Sequence, residues 1–268
     1  MSKILLGLLA LFVSLTHLQA NSPLKALLIT GGCCHDYFFQ ADKLTTGINQ
    51  MANVNWTVIH EGNKSTDFKS SIYSQDNWFS NYDVVVHNEC FAKVMDHEWT
   101  EKVSKAHLEG VPSVVIHCAM HTYRDATHDE WRKLLGVTSK HHEHKSRKIV
   151  KNNMPQHPIM KDFPEVWTSP VDELYLIEKV WPNTQVLATG VSDRKGTEGA
   201  KHPAFWTNQY GKSKVFGTTF GHSNETFEDP VFIKTVGRGM LWACNKLDQD
   251  GNISAELKPS VKKKNKKK

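Results

Sequence analysis

Past its first twenty residues this chain of 268 has no apolar run approaching the roughly 20 residues needed to cross a bilayer, so the body carries no transmembrane segment. Glycine-rich phosphate signatures are missing too. Neither Gly-x-Gly-x-x-Gly nor a Walker pattern occurs, and no nucleotide cofactor is expected. Cysteine is scarce, with five residues at positions 33, 34, 90, 118 and 244, an odd number that does not describe a disulfide framework. Four of them fall at the ends of predicted strands, and the expectation is small buried thiols packed beneath a site. Positive charge is absent from the body: seven of the 33 basic residues lie at or beyond Lys258 and one at Lys3, leaving 25 against 28 acidic residues, about −3. A body of that charge gives no reason to expect a specific nucleic-acid partner.

At the start, Met1 to Ala20 has one lysine, an apolar core from Ile4 to Leu15 and a small residue at Ala20. These features resemble a secretory signal peptide, so residues 1–20 are set aside and the mature protein is expected to be periplasmic or secreted. Residues 21–247 have no internal repeat or interior linker and are read as one domain. The remainder, 248–268, ends in a lysine run with almost nothing to bury and is expected to be a disordered tail.

Within the body, apolar runs alternate with helical periodicity. Strands are expected at Leu24–Thr30, Val54–His60 and Tyr82–Val86, and helices at Tyr37–Met51 and His97–Glu109. A further run, Val111 to Ile116, enters through Gly110 and ends abruptly in His117, Cys118 and His121, with a helix-compatible stretch following at Thr127–Leu135. An uninterrupted Val/Ile run of this kind is a buried parallel strand, and side chains just past its carboxyl end face the crevice where open α/β sheets bind ligands. Shorter, partly antiparallel strands are expected at His141–Val150, Asp172–Ile177, Thr184–Thr189, Pro203–Thr207 and Lys214–Phe220. An amphipathic helix at Phe227–Asn245 then closes the domain. The fold class is α/β: a doubly wound, mostly parallel sheet with additional antiparallel strands in the C-terminal half.

Gly31-Gly32-x-x-His35, Tyr82-Asp83-Val84-Val85-Val86, Gly110-Val111-Pro112 leading to His117-x-x-x-His121, His157-Pro158-Ile159, Asp172-Glu173-x-Tyr175, Pro203-x-x-Trp206 and Gly221-His222 occur in that order. The ordered set resembles the ThuA-like, trehalose-utilisation family. The resemblance implies a flavodoxin-like fold close to the class I glutamine amidotransferases and a link to sugar metabolism. In those amidotransferases a Gly-x-Pro strand delivers a nucleophilic cysteine at a sharp turn flanked by glycine. Here His117 stands at the nucleophile's place, Cys118 falls one residue late, and the flanking glycine is Ala119. A glutamine amidotransferase is therefore not expected.

His117, His121, His35, Glu173 and His222 are the candidate catalytic residues, because imidazoles with neighbouring carboxylates perform acid-base chemistry near neutral pH. Gly32, Asp36, Glu89, Tyr123, Asp172 and Trp206 are candidates for contact with substrate, Trp206 through its ring face. Converging strand-end histidines also suit a divalent metal. His117-x-x-x-His121 straddles a predicted turn, however, and is not a helical ligand pair, so no ligand is assigned. The cluster His141-His142-Glu143-His144 alternates faces on a strand and is read as a solvated edge. The function expected is acid-base processing of a small carbohydrate, a glycoside or keto-sugar. A non-catalytic sugar-binding protein is the alternative, and Cys118-dependent hydrolysis trails both.

Overall fold

The computed structural model describes residues 22–259; the expected leader at 1–20 and the end of the lysine run lie outside them. Among the described residues no helix is long and apolar enough to cross a membrane. Strands β1 (Leu24–Gly32), β2 (Val54–Glu61), β3 (Val84–Cys90) and β4 (Ser113–Ile116) run parallel in the order β2-β1-β3-β4. β3 and β4 are buried at every position, and β1 at all but one, which is why they lack the alternation of a half-exposed strand. Helix α1 (Tyr37–Asn49) buries Tyr37, Ala41, Leu44 and Ile48 at helical spacing, and α2 (His97–Glu109) buries Thr100, Val103, Ala106 and His107. A single 3₁₀ turn, His117–Met120, follows β4, and the short helix α3 (Glu130–Leu135) comes after it.

The second half extends the same sheet. In chain order its strands are β5 (Val137–His142), β6 (Ser146–Asn152), β7 (Val166–Asp172), β8 (Tyr175–Val180), β9 (Thr184–Val191), β10 (Lys201–Tyr210) and β11 (Ser213–Thr218). The nine-stranded order is β2-β1-β3-β4-β11-β10-β9-β6-β7. β11 pairs parallel with β4, while the pairs from β11 outward to β7 are antiparallel. The flavodoxin-like α/β sheet is thus present, with its antiparallel extension. β5 and β8 form a separate two-stranded ribbon in which His142 faces Tyr175.

Two expected elements are divided. The strand at Asp172–Ile177 contains the turn between β7 and β8, and the closing helix is α4 (Asn224–Glu228) followed by α5 (Pro230–Ala243). Pro230 explains the second break, since it lacks a donor N–H and occupies the first position of α5 with Asp229 as cap. The ordered body also continues past the expected boundary at 247. Leu247 bridges Ile253, Asn53 donates its N–H to the Leu257 carbonyl, and Leu257 is buried.

Candidate active site

The carboxyl ends of β1, β4 and β11 converge, and each leaves its strand through unusual backbone. Gly31 and Gly32 end β1 with positive φ, and a Cβ on Gly32 would collide with the Cys90 carbonyl. His117 ends β4 at φ +46°, a left-handed conformation that non-glycine residues rarely adopt, and one that lifts its side chain into the crevice. Beyond β11, Gly221 has φ +133°, and a Cβ there would lie 3.1 Å from the His117 Cβ. These turns bring the rings of His35, His117 and His222 together edge to face, with centroids 4.7–5.5 Å apart.

Glu173, in the β7–β8 turn, supplies the carboxylate. Its Oε2 lies 3.0 Å from His222 Nδ1, 3.3 Å from His142 Nδ1 and 3.6 Å from His117 Nε2. Backbone carbonyls set two of the tautomers: His117 Nδ1 donates to Thr219 O at 2.6 Å, and His35 Nδ1 donates to His222 O at 3.3 Å. Each ring therefore carries its hydrogen on Nδ1 and keeps a lone pair on Nε2. Burial and the neighbouring imidazole of His222 lower His35 to about 4, and burial with the neighbouring His35 holds His117 well below the ordinary range. Both are neutral at pH 7, the state in which imidazole accepts a proton or binds a metal. One donor atom from each of His35, His117 and His222 lies within 4.8 Å of the others, so the three can hold a divalent cation.

His121 stands beside this cluster. Its ring stacks on Tyr175 at 4.2 Å with an interplanar angle of 18°, and burial lowers it to about 3. The Tyr175 hydroxyl lies 3.4 Å from His117 Nε2, and His142 flanks Tyr175 on the ribbon. His142 and Tyr175 are the additions that residue-by-residue reading missed. The alternation argument placed the 141–144 cluster on a solvated edge, but only Tyr175's register partner turns His142 inward, and that pairing is long range. Glu143 of the same cluster is buried against Lys148 at 2.6 Å.

Six residues expected at the substrate have other tasks. The Gly32 N–H donates to Asn63 O, so this glycine serves a close strand approach. Asp36 caps α1 by accepting from Phe39 N. Glu89 is buried against His87 Nδ1 at 2.9 Å and the Tyr73 hydroxyl at 3.4 Å. Tyr123 packs edge-on against Trp131 in the core. Asp172 accepts from the backbone N–H groups of Glu173, Gly221 and His222 and from the Thr226 hydroxyl, and so positions the site. Trp206 is fully buried and donates from Nε1 to Leu135 O at 2.7 Å, because β10 is an interior strand of the sheet.

The cysteines also depart from expectation. Cys33 is bonded to Cys34 and Cys90 to Cys118, and Cys33 Sγ lies 4.0 Å from Cys90 Sγ. β1, β3 and β4 are neighbours in the sheet, so the residues at their ends meet although 28 residues separate Cys90 from Cys118. Cys118 has no free thiol, and the place of an amidotransferase nucleophile belongs to His117.

The sequence matches the ThuA family, described as trehalose utilisation, over residues 25–243. The chain belongs to the ThuA family. Its fold is shared with a ThuA-like protein of Parabacteroides merdae, 20% identical with a TM-score of 0.68, the match covering 88% of this chain and 97% of that one. A ThuA-like protein of Bacteroides uniformis gives 16% identity, a TM-score of 0.66 and coverage of 86% and 95%. The amidotransferase-like architecture is seen in a Thermoplasma acidophilum protein described as part of a GMP synthase, with 13% identity, a TM-score of 0.50 and coverage of 84% and 95%. No curated protein matches the chain. The ThuA match spans every residue of the histidine cluster, from His35 to His222.

Proposed function

We propose that this chain is an exported carbohydrate-processing member of the ThuA family whose histidine–Glu173 cluster transfers protons on a bound glycoside or keto-sugar. The observation that carries this reading is Glu173 Oε2, held within 3.0–3.6 Å of three imidazoles. His117 Nε2, kept neutral by burial and by its Thr219 bond, accepts a proton from a substrate hydroxyl or from the carbon beside a keto group. Glu173 stabilises the imidazolium that results. Tyr175, whose phenol burial holds well above its ordinary range, stays protonated as a donor 3.4 Å from the same nitrogen. The stacked rings of His121, Tyr175 and His142 offer an aromatic wall for the apolar face of a sugar.

Thermal shifts and turnover against a panel of disaccharides and keto-sugars test this reading. Glu173→Gln and His117→Ala are expected to keep a sugar-dependent shift and to lose about 10²–10⁴-fold in turnover. Parental turnover in both variants would falsify the assignment. A sugar-dependent shift in a parent that turns over none of the panel supports a binding protein.

A second reading rests on the tautomers of His35 and His117. An imidazole whose Nδ1–H is held by a carbonyl is the arrangement that orients metal-ligating histidines. His35, His117 and His222 would then hold a divalent cation that acts as a Lewis acid, with Glu173 at its edge. Elemental analysis separates the two: one stoichiometric metal that His117→Ala loses, together with loss of turnover on chelation, selects metal-assisted chemistry.

A further inference from the structure

Where α2 begins and the chain approaches α3, two imidazoles and two carboxylates meet away from the Glu173 cluster. His97 is the first residue of α2, Glu101 lies one turn along it, and His128 and Glu130 flank the start of α3. His97 Nε2 lies 3.1 Å from Glu101 Oε1 and 3.6 Å from Glu130 Oε2, and the His97 and His128 ring centroids are 4.1 Å apart. One donor atom each from His97, His128 and Glu130 falls within 4.8 Å of the other two. His128 Nε2 and Glu130 Oε2 are both shut off from solvent, and among the described residues neither has a hydrogen-bond partner. Lys133 pairs with the other oxygen of Glu130 and leaves Oε2 facing the imidazoles.

Buried polar atoms without partners are rare and costly, and two of them in one histidine–carboxylate cluster have a common remedy in a cation. Ligands at about 2.0–2.2 Å on a tetrahedral ion stand roughly 3.4 Å from one another. The 3.1 Å and 3.6 Å separations around His97 Nε2 already bracket that spacing. Two nitrogen donors exclude the hard cations that take oxygen alone, magnesium and calcium, and suit zinc.

We propose that His97, His128 and Glu130, with Glu101 as the fourth ligand, form a zinc site that clamps the start of α2 to the start of α3. Four protein ligands close the coordination sphere, so the ion is structural and has no position for substrate. The half-exposed side chains of His97 and Glu101 give zinc its way in.

The full chain, stripped with a chelator and dialysed against zinc chloride, tests this by elemental analysis and by thermal unfolding with and without zinc. His97→Ala and Glu130→Gln are expected to bind one zinc per chain fewer than the parent and to lose most of the zinc-dependent rise in Tm. His35→Ala should retain this zinc, which separates the site from the Glu173 cluster whatever that cluster binds. His97 is exposed, so its replacement leaves the apo fold intact, and circular dichroism of the apo protein checks this. Unchanged zinc content and an unchanged zinc-dependent Tm in both His97→Ala and Glu130→Gln overturn the proposal.

Discussion

Two histidine clusters lie within this sheet, each with a carboxylate, and they differ in what their ring nitrogens do. In the inner cluster His107 Nδ1 donates to Val111 O at 2.7 Å, so its neutral ring accepts at Nε2 from His87, 3.1 Å away. His87 Nδ1 then faces Glu89 Oε1 at 2.9 Å with one proton between them. Every imidazole nitrogen there has a partner, and His87, Glu89 and His107 are wholly inaccessible. At the crevice, His35 and His117 keep Nε2 lone pairs turned toward a shared centre, His35 is partly exposed, and the backbone of His117 is in a conformation its residue type disfavours. Histidine number therefore does not mark a site; nitrogens left without partners do. The inner cluster is a satisfied structural network, which rigidifies the layer between β3 and α2.

The largest effect should come from breaking that inner network. His87→Ala leaves Glu89 buried without its partner, and a fall in unfolding free energy of about 3–5 kcal/mol is expected by urea titration. The double replacement His87→Leu, Glu89→Met leaves no lone charge and should recover much of the loss. A single variant within 1 kcal/mol of the parent, on the scale of an ordinary surface change, would mean that water reaches Glu89 and that the two clusters are not different in kind.

The same contrast explains what could be read in the chain. Continuous Val/Ile runs with their flanking helical periods located β1, β2, β4, α1 and α2 closely, because burial on both faces writes itself into local composition. The histidines and Glu173 were also legible, since strand-end polar residues are local features. What local pattern could not convey was partnership. Glu89 follows its strand just as His117 does, yet its side chain meets His87 and Tyr73 from α2's side of the sheet. Asp172 and Glu173 are adjacent, and only the fold shows that one gathers backbone N–H groups while the other meets the imidazoles. His142 depends on its cross-strand neighbour, and the cysteine pairs depend on the order of β1, β3 and β4.

Asp172→Asn probes the crevice through its support. Burial raises Asp172 to about 6, and its carboxylate is held against that by Thr226 and three backbone N–H groups. Hydrogen bonds to a charged group contribute about 1.5–3 kcal/mol. A loss of that size in unfolding free energy is expected, together with reduced turnover, since the Gly221–His222 turn loses its anchor. If stability falls and turnover does not, His222 is not part of the working cluster.

Acidification acts on both clusters at once. Burial lowers His35 to about 4 and His107 and His121 to about 3, against an ordinary 6.5. Below pH 6.5 the unfolded chain binds protons that the folded chain refuses, so their contribution is present above that value and lost as pH falls toward 4 and then 3. Asp172 has the opposite sign: its raised value favours the folded state as pH falls through about 6. With His117 also lowered, four imidazoles oppose one carboxyl. Urea midpoints should therefore decline steadily from pH 7 to pH 4, and His121→Gln should flatten the slope. A midpoint that rises on acidification would show that these rings are charged in the folded protein.

The smallest effect should come from Asp36, whose place beside His35 made it a candidate for substrate. Its Oδ1 accepts from Phe39 N at 3.2 Å, and its Oδ2 accepts from Asn224 Nδ2 at 3.3 Å. Both bonds hold backbone and loop, and neither reaches the imidazoles. Removing a helix cap costs about 0.5–2 kcal/mol, typically near 1. Asp36→Ala is expected to lower unfolding free energy by about 1 kcal/mol, and Asp36→Ser, which can cap, should restore most of it. KM for a substrate found in the sugar panel should stay within twofold in both variants. A KM that rises in Asp36→Ala and is not restored in Asp36→Ser would return this carboxylate to the binding site, and would extend the crevice from the imidazole cluster out along the amino end of α1.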